Sequence, residues 1–302
     1  MPPTATNQTI SYLARRFAEV GIRLNARHGQ NFLIDLNLQR LIVERAELGP
    51  DDVVLEVGTG TGALTALMAS HAAAVVTVEI DPRLFQLASE ELFGFTNVVQ
   101  LGHDALANKS HFDPRLLAAL EQQLAAAPGR RLKLVANLPY SVATPVIANL
   151  LAGQLVPESM TVTIQKELAD RITSVPGTKD YGALSVWVQS QCRVELVRLL
   201  PPSVFWPRPQ VTSAVIHVEL DEPRRKLIPD RSFFHDFTRS LFFHRRKFLR
   251  SVLQSAWKGQ LDKATIDQLI VQAGLAPECR ADQLDVPTIL RLCEAVRTAL
   301  PA

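Results

Sequence analysis

A β-branched run, Asp52–Val57, leads directly into Gly58-Thr59-Gly60-Thr61-Gly62 and then into a helical pattern over Gly62–Ser70. Glycines at alternate positions let the backbone turn tightly and approach a ligand without Cβ clashes. A second run, Ala74–Glu79, closes on Val78-Glu79-Ile80-Asp81. A carboxylate about twenty residues after such a loop can accept both hydroxyls of a ribose, as in dinucleotide-binding folds. Together the two features predict a parallel α/β sheet that holds an adenosine-containing ligand at its carboxyl edge.

The rest of the chain fits that plan. Helical periodicity over Pro82–Phe93 and strand-like runs at Asn97–Leu101, Leu132–Ala136 and Thr161–Gln165 continue the alternation, with little polar interruption inside the strands. Such strands belong to a sheet covered on both faces. Two further strands, Cys192–Leu199 and Ser213–Leu220, flank the proline-rich stretch 201–209 and are expected to pair antiparallel at one edge. The Ala-rich segment Leu116–Ala127 reads as a surface helix inserted before the fourth strand. Beyond Asp221-Glu222-Pro223 only helical periodicity remains, with helices expected at 231–256, 262–273 and 286–299. The expected domains are therefore 1–222, including a helical N-terminal segment 8–26, and an all-α domain 223–302.

Composition narrows the function. Lys plus Arg number 32 against 30 Asp plus Glu in 302 residues, so any nucleic-acid contact must come from a local basic patch. Apolar runs such as Ala72–Val78 are too short to span a bilayer, and Met1–Asn7 lacks the features of a secretory signal. The three cysteines form no C-x-x-C and no ligand cluster with the histidines, so neither a disulfide framework nor a metal is expected. A cytoplasmic monomer without a membrane partner is the expectation.

The spacing of the loop bears on which ligand it holds. Nicotinamide and flavin sites use G-x-G-x-x-G, because a pyrophosphate sits on the helix N-terminus. Here the spacing is G-x-G-x-G, preceded by Glu56 two residues before the first glycine. S-adenosylmethionine has no phosphate, and its site needs close backbone approach and acids near its cationic end; the residues favour it over a dinucleotide. Asp104, after the third strand, is either an acceptor for the adenine amine or a turn cap, since Asp favours both. The fold expected is thus α/β. It is Rossmann-like, with a mostly parallel sheet, an antiparallel edge hairpin and the small C-terminal all-α domain.

Asn137-Leu138-Pro139-Tyr140 follows the fourth strand. An aromatic amine such as adenine N6 is a poor nucleophile, because its lone pair is delocalised into the ring. It needs acceptors for its N–H groups that bring the nitrogen towards tetrahedral geometry. The Asn137 side-chain carbonyl and the Leu138 backbone carbonyl are candidates. Pro139 adds no competing N–H, and Tyr140 offers a face for an extruded base, worth about 1–3 kcal/mol.

With these motifs in order, the sequence resembles the ribosomal RNA adenine dimethyltransferase family, and within it the small-subunit branch. Further shared segments are Gly29-Gln30-Asn31-Phe32-Leu33, Gln165-Lys166-Glu167, Tyr181-Gly182-Ala183-Leu184-Ser185-Val186, Pro201-Pro202-Ser203-Val204-Phe205, Ser213-Ala214-Val215 and Arg245-Arg246-Lys247. The resemblance implies a class I S-adenosylmethionine-dependent methyltransferase fold, with the methyl donor held by Asn31, the Leu33 backbone, Gly58, Glu79, Asp104 and Asn137. It implies that Asn137 and Leu138 orient the target N6 while Tyr140 stacks on the base, with Phe205 the candidate for the other face. It also implies dimethylation of two adjacent adenosines in a hairpin loop near the 3′ end of small-subunit rRNA, late in subunit assembly. The chain departs from the family in having Thr59 where proline is usual, and Asn25-Ala26-Arg27-His28 where several basic residues are common. The Ala-rich segment is also longer than is usual in the family.

Most of the local basic excess lies between Arg224 and Lys258, including Arg224, Arg225, Arg245, Arg246, Lys247 and Arg250. Phosphates bind such clusters through charge. On one continuous helix Arg246 and Arg250 would share a face, anchored by Leu241, Phe242, Phe248 and Leu249. Arg245, Arg246, Lys247 and Arg250 are the candidate RNA contacts. Tyr181 and Trp187 are assigned to a packed helix rather than to base stacking. The competing functions are a large-subunit rRNA methyltransferase of the antibiotic-resistance type, a non-catalytic nucleic-acid-binding relative, and a dehydrogenase.

Overall fold

The computed structural model describes residues 8–19, 21, 31–276 and 278–301. Asn25–His28, Gly29, Gln30 and the end of the expected 8–26 segment lie outside the described residues; within that segment, α1 spans Ile10–Glu19. The strands are β1 (Phe32–Leu33), β2 (Asp52–Val57), β3 (Ala74–Val78), β4 (Val98–Leu101), β5 (Leu106–Asn108), β6 (His111–Phe112), β7 (Arg131–Asn137), β8 (Ser159–Gln165), β9 (Cys192–Leu200), β10 (Phe205–Trp206) and β11 (Ser213–Leu220). The remaining helices are α2 (Leu36–Arg45), α3 (Ala63–Ala69), α4 (Pro82–Glu91), α5 (Pro114–Ala125), α6 (Ala143–Ala152), α7 (Lys166–Thr173), α8 (Ala183–Gln189), α9 (Glu222–Lys226), α10 (Arg231–Phe243), α11 (Leu249–Ala256), α12 (Lys263–Gln272) and α13 (Val286–Ala299).

The central sheet has seven strands in the order β4-β3-β2-β7-β8-β11-β9. β4, β3, β2, β7 and β8 run parallel, and β11 runs antiparallel to β8, with β9 outside it. Every residue of β2 and β3 is buried, which is why these strands lack polar alternation. The chain steps outward from β2 to β3 and β4, then returns to β7 on the other side of β2. That reversal opens a crevice at the carboxyl ends of β2 and β7, where open α/β sheets bind their ligands. Short local signals set the helix starts. Asp35, Asp81 and Asp113 each accept hydrogen bonds from first-turn N–H groups, and Pro82 and Pro114 open α4 and α5. On one face of the sheet, α2 packs through Leu38 and Ile42 with Leu33, Val54, Val135, Phe205 and Val215.

Three expectations are corrected. The Ala-rich segment is not a surface insertion: α5 packs against β2 and β3, with Leu116 and Leu120 fully buried, as a sheet-covering helix. Its alanines hid an ordinary amphipathic stripe. The helix expected over 231–256 is two helices. His244 and Phe248 leave helical dihedrals, and the Leu249 N–H donates to the Cys279 carbonyl at 2.8 Å beside a Phe248–Arg280 bridge. A bridge between residues so distant in sequence leaves no trace in local periodicity. Third, the chain forms two compact units, Met1–Ala169 with Glu195–Glu219, and Asp170–Val194 with Leu220–Ala302. Residues 170–194, assigned from the sequence to the first domain, pack within the second unit. There Tyr181, just ahead of α8, donates its hydroxyl to the Leu284 carbonyl at 3.0 Å, and Trp187 packs against Phe234 and His235.

Candidate active site

The glycine loop lines a cavity at the carboxyl ends of β2, β3 and β7. Gly58 and Gly60 have φ of 89° and 58°, a region that side chains resist. A Cβ on Gly58 would meet the Pro139 ring at 3.0 Å, and one on Gly60 would meet the Phe32 ring at 3.3 Å. These glycines therefore let three motifs distant in sequence close around one space. Four of the loop's N–H groups are already committed. Gly58 and Thr59 donate to the Val78 carbonyl, Gly60 to Glu79 Oε2 at 2.9 Å, and Gly62 to the Thr59 carbonyl. A pyrophosphate would find few donors here and a carboxylate beside it, which argues against a dinucleotide.

Glu79 is nearly buried, with Oε1 accepting from the Asp81 N–H at 3.0 Å and Oε2 from Gly60. Burial raises its pKa against the opposing pull of those backbone donors. Each oxygen keeps a second lone pair for a ligand hydroxyl. Glu56 behaves differently. Its Oε2 accepts from Thr65 Oγ1 at 2.5 Å and Thr77 Oγ1 at 2.7 Å, and Thr59 Oγ1 lies 2.6 Å from Thr77 Oγ1. Burial pushes its carboxyl up to about 8, so it is mostly protonated at neutral pH. The expected anion for a cationic ligand is instead the hub of a hydroxyl network that ties the loop to β3.

Asn137, at the end of β7, donates from Nδ2 to the Asn31 carbonyl at 2.8 Å. A carbonyl only accepts, so the amide orientation follows, and Oδ1 is left as the acceptor of this side chain. Leu138 is anchored by its N–H on the Thr163 carbonyl at 3.1 Å. Tyr140 lines the cavity, and its hydroxyl lies 2.6 Å from Ser213 Oγ. Burial raises the phenol's pKa, keeping it protonated. Asn31, Leu33, Gly58, Glu79, Asp104, Asn137, Leu138 and Tyr140 all line this one cavity. Asp104 also serves the local turn, its Oδ1 accepting from the Leu106 N–H at 2.9 Å. Phe205 is not brought to the cavity: its ring is 1% exposed and packs with Leu33, Leu38 and Val215, because β10 pairs Phe205 with Leu33.

The sequence profile described as ribosomal RNA adenine dimethylase matches residues 21–293. The chain belongs to this family. The ribosomal RNA small subunit methyltransferase A of Lactiplantibacillus plantarum is 38% identical over 281 residues, 92% of each chain. That of Geobacillus kaustophilus is 38% identical over 269 residues, 89% of each chain. A solved structure of a dimethyladenosine transferase from Plasmodium falciparum matches with TM-score 0.71 and 22% identity, covering 88% of this chain and 97% of that one, a likeness of fold.

The basic candidates of this chain are not equivalent. Arg246 and Lys247 are exposed on the turn between α10 and α11, and Arg245 donates to the Lys179 carbonyl at 2.5 Å. Arg250 does not share a helix face with Arg246, because the helix breaks between them. It makes a bidentate pair with Asp267, at 2.5 and 2.6 Å. Leu241 and Leu249 are core anchors as expected, but Phe248 is 46% exposed. Arg224 and Arg225 hold the Cys192 carbonyl and the Gln191 side chain, respectively. Among the described residues, no cluster could hold a metal and no helix is long and apolar enough to cross a membrane. Sequence reading missed Ser213 as the partner of Tyr140, and Gln39 on the cavity wall. Gln39's signal was visible in principle, as a polar residue among the apolar positions of α2.

Proposed function

We propose that this protein transfers methyl groups from S-adenosylmethionine to N6 of two adjacent adenosines in a hairpin loop near the 3′ end of small-subunit rRNA, in cytoplasmic ribosome assembly. The observation that carries the reading is the packing of Pro139 on Gly58, which sets the amine-orienting motif against the glycine loop in one cavity. Glu79 accepts the ribose hydroxyls and Asp104 the adenine amine, while Asn31, Leu33 and Gly58 hold the amino-acid end. The donor set suits this cofactor, since it offers acceptors and backbone approach where a diphosphate would need free N–H groups. When bound, the sulfonium supplies an electrophilic methyl carbon.

Asn137 Oδ1 and the Leu138 carbonyl accept the N–H groups of the target amine and draw its nitrogen towards tetrahedral geometry. Tyr140, held by Ser213, presents its ring to the unstacked purine. Holding nitrogen and methyl carbon together supplies much of the remaining rate. Monomethyladenine retains one N–H for the same acceptors, so a second transfer needs no second site. Loop adenosines cost less to extrude than duplex ones. Arg246 and Lys247, with Arg245, contact RNA phosphates. The small-subunit substrate is preferred to the large-subunit one because the relatives sharing 38% of this sequence carry small-subunit names. The test incubates the protein with labelled donor and small subunits lacking the modification, then maps modified bases by mass spectrometry. Dimethylation of two neighbouring adenosines near the 3′ end supports the reading; label elsewhere, or none, overturns it.

A further inference from the structure

Gln39 stands out on α2. Its neighbours Leu38, Ile42 and Val43 belong to the apolar cluster over the sheet, and a leucine at position 39 would suit that face. Instead an amide is buried there, 6% exposed, on the wall of the donor cavity. One end of the amide is spoken for: Nε2 donates to the Leu33 carbonyl at 2.6 Å. That bond fixes the orientation, because a carbonyl cannot donate. The other end, Oε1, is buried and has no hydrogen-bond partner. Buried polar atoms are rarely left so, and one that is calls for a physical explanation.

The position of Gln39 along the cavity names the donor it awaits. Asp104 follows β4 and Glu79 follows β3, so the adenosine acceptors lie towards that edge of the sheet. Gln39 lies towards the opposite edge, because α2, which carries it, packs against β8 and β1. Asn31 and Asn137 join each other on the same side. A ligand spanning the cavity from Asp104 places the end remote from its adenine near Gln39. In S-adenosylmethionine that end carries an ammonium, which can only donate. Oε1 can only accept.

We infer that Gln39 is a further binding residue of the donor site, its Oε1 accepting a hydrogen bond from the α-ammonium of the methyl donor while its Nε2 holds the Leu33 carbonyl in place. The inference rests on the donor-site reading above and adds a residue to it. It assigns to Gln39 recognition of the amino-acid end, with no part in holding the nucleoside.

The test is calorimetry on the full chain with two probes: S-adenosylhomocysteine, and 5′-methylthioadenosine, which keeps the nucleoside and thioether but lacks the amino-acid end. In Gln39→Leu and the length-preserving Gln39→Met, S-adenosylhomocysteine binding weakens about tenfold or more while methylthioadenosine binding stays within twofold. A third probe, the S-adenosylhomocysteine analogue lacking the α-amino group, binds the unmutated protein about as weakly as it binds Gln39→Leu, because the donor that Oε1 accepts is gone. Equal weakening of both probes would mean that Gln39 shapes the cavity only by packing, and would overturn the inference. So would unchanged binding of both, or a loss of affinity for the deaminated analogue in Gln39→Leu equal to that for S-adenosylhomocysteine. If the unmutated protein bound neither probe, the donor-site reading itself would fail, and this inference with it.

Discussion

Asn137 donates its side-chain N–H to the Asn31 carbonyl at 2.8 Å, and this bond decides which end of the amide can meet a substrate amine. With Nδ2 committed, Oδ1 is the acceptor, the polarity that an amine nucleophile requires. Asn137→Ala is therefore expected to lower single-turnover methyl transfer by about 100-fold or more, the scale of losing one positioned polar partner. Filter binding should show RNA affinity nearly unchanged. Unimpaired transfer would remove Asn137 from the chemistry.

Glu79 accepts from both Gly60 and Asp81 while facing the cavity, so its loss removes a ligand acceptor and an anchor of the loop. Glu79→Ala should weaken S-adenosylhomocysteine binding by about 10–100-fold, the range for a hydrogen bond to a charged group. A dissociation constant equal to that of the unmutated protein would contradict the ribose role.

The Tyr140–Ser213 hydroxyl pair should act as one unit. Tyr140→Phe and Ser213→Ala are each expected to reduce transfer a few-fold, and the double variant no more than either single one, because both break the same bond. Tyr140→Ala removes the ring as well and should cost far more. Additive losses in the double variant would show that the two hydroxyls act independently.

Glu56 makes stability pH-dependent. Its folded-state pKa of about 8 lies above the usual 4.5, so between these values the folded protein binds more protons than the unfolded chain. The stabilising contribution is complete below pH 4.5 and is lost as pH rises through about 8, by up to about 1.4 kcal/mol per pH unit. Thermal melts should show Glu56→Gln with a shallower decline in Tm than the unmutated protein between pH 5 and 8. Parallel declines would refute the assignment.

Arg246 and Lys247 should behave as phosphate contacts and Arg250 as a structural residue. Arg246→Ala and Lys247→Ala are each expected to lower the slope of log affinity against log salt by about 1. Arg250→Ala should leave that slope unchanged and lower Tm slightly, since its guanidinium is paired with Asp267. A change of slope in the Arg250 variant equal to that at Arg246 would reverse the assignment.

The parallel sheet, the glycine loop, and the acid and Asn-Leu-Pro-Tyr segment that line the same cavity were legible in the sequence, because each rests on residues within a few positions of one another. Unbroken apolar runs mark strands buried on both faces, alternate glycines mark a turn, and an aspartate before proline marks a helix start. Tertiary structure alone decided the rest. It turned Glu56 from an expected anion into a protonated network hub, because desolvation there outweighs two threonine hydroxyls. Strand pairing with Leu33 drew Phe205 into the core, a bridge to Arg280 broke one expected helix into two, and Asp267 claimed Arg250. In each case the deciding partner lies far away in sequence, and the balance of burial against hydrogen bonding exists only once the chain has brought the two together.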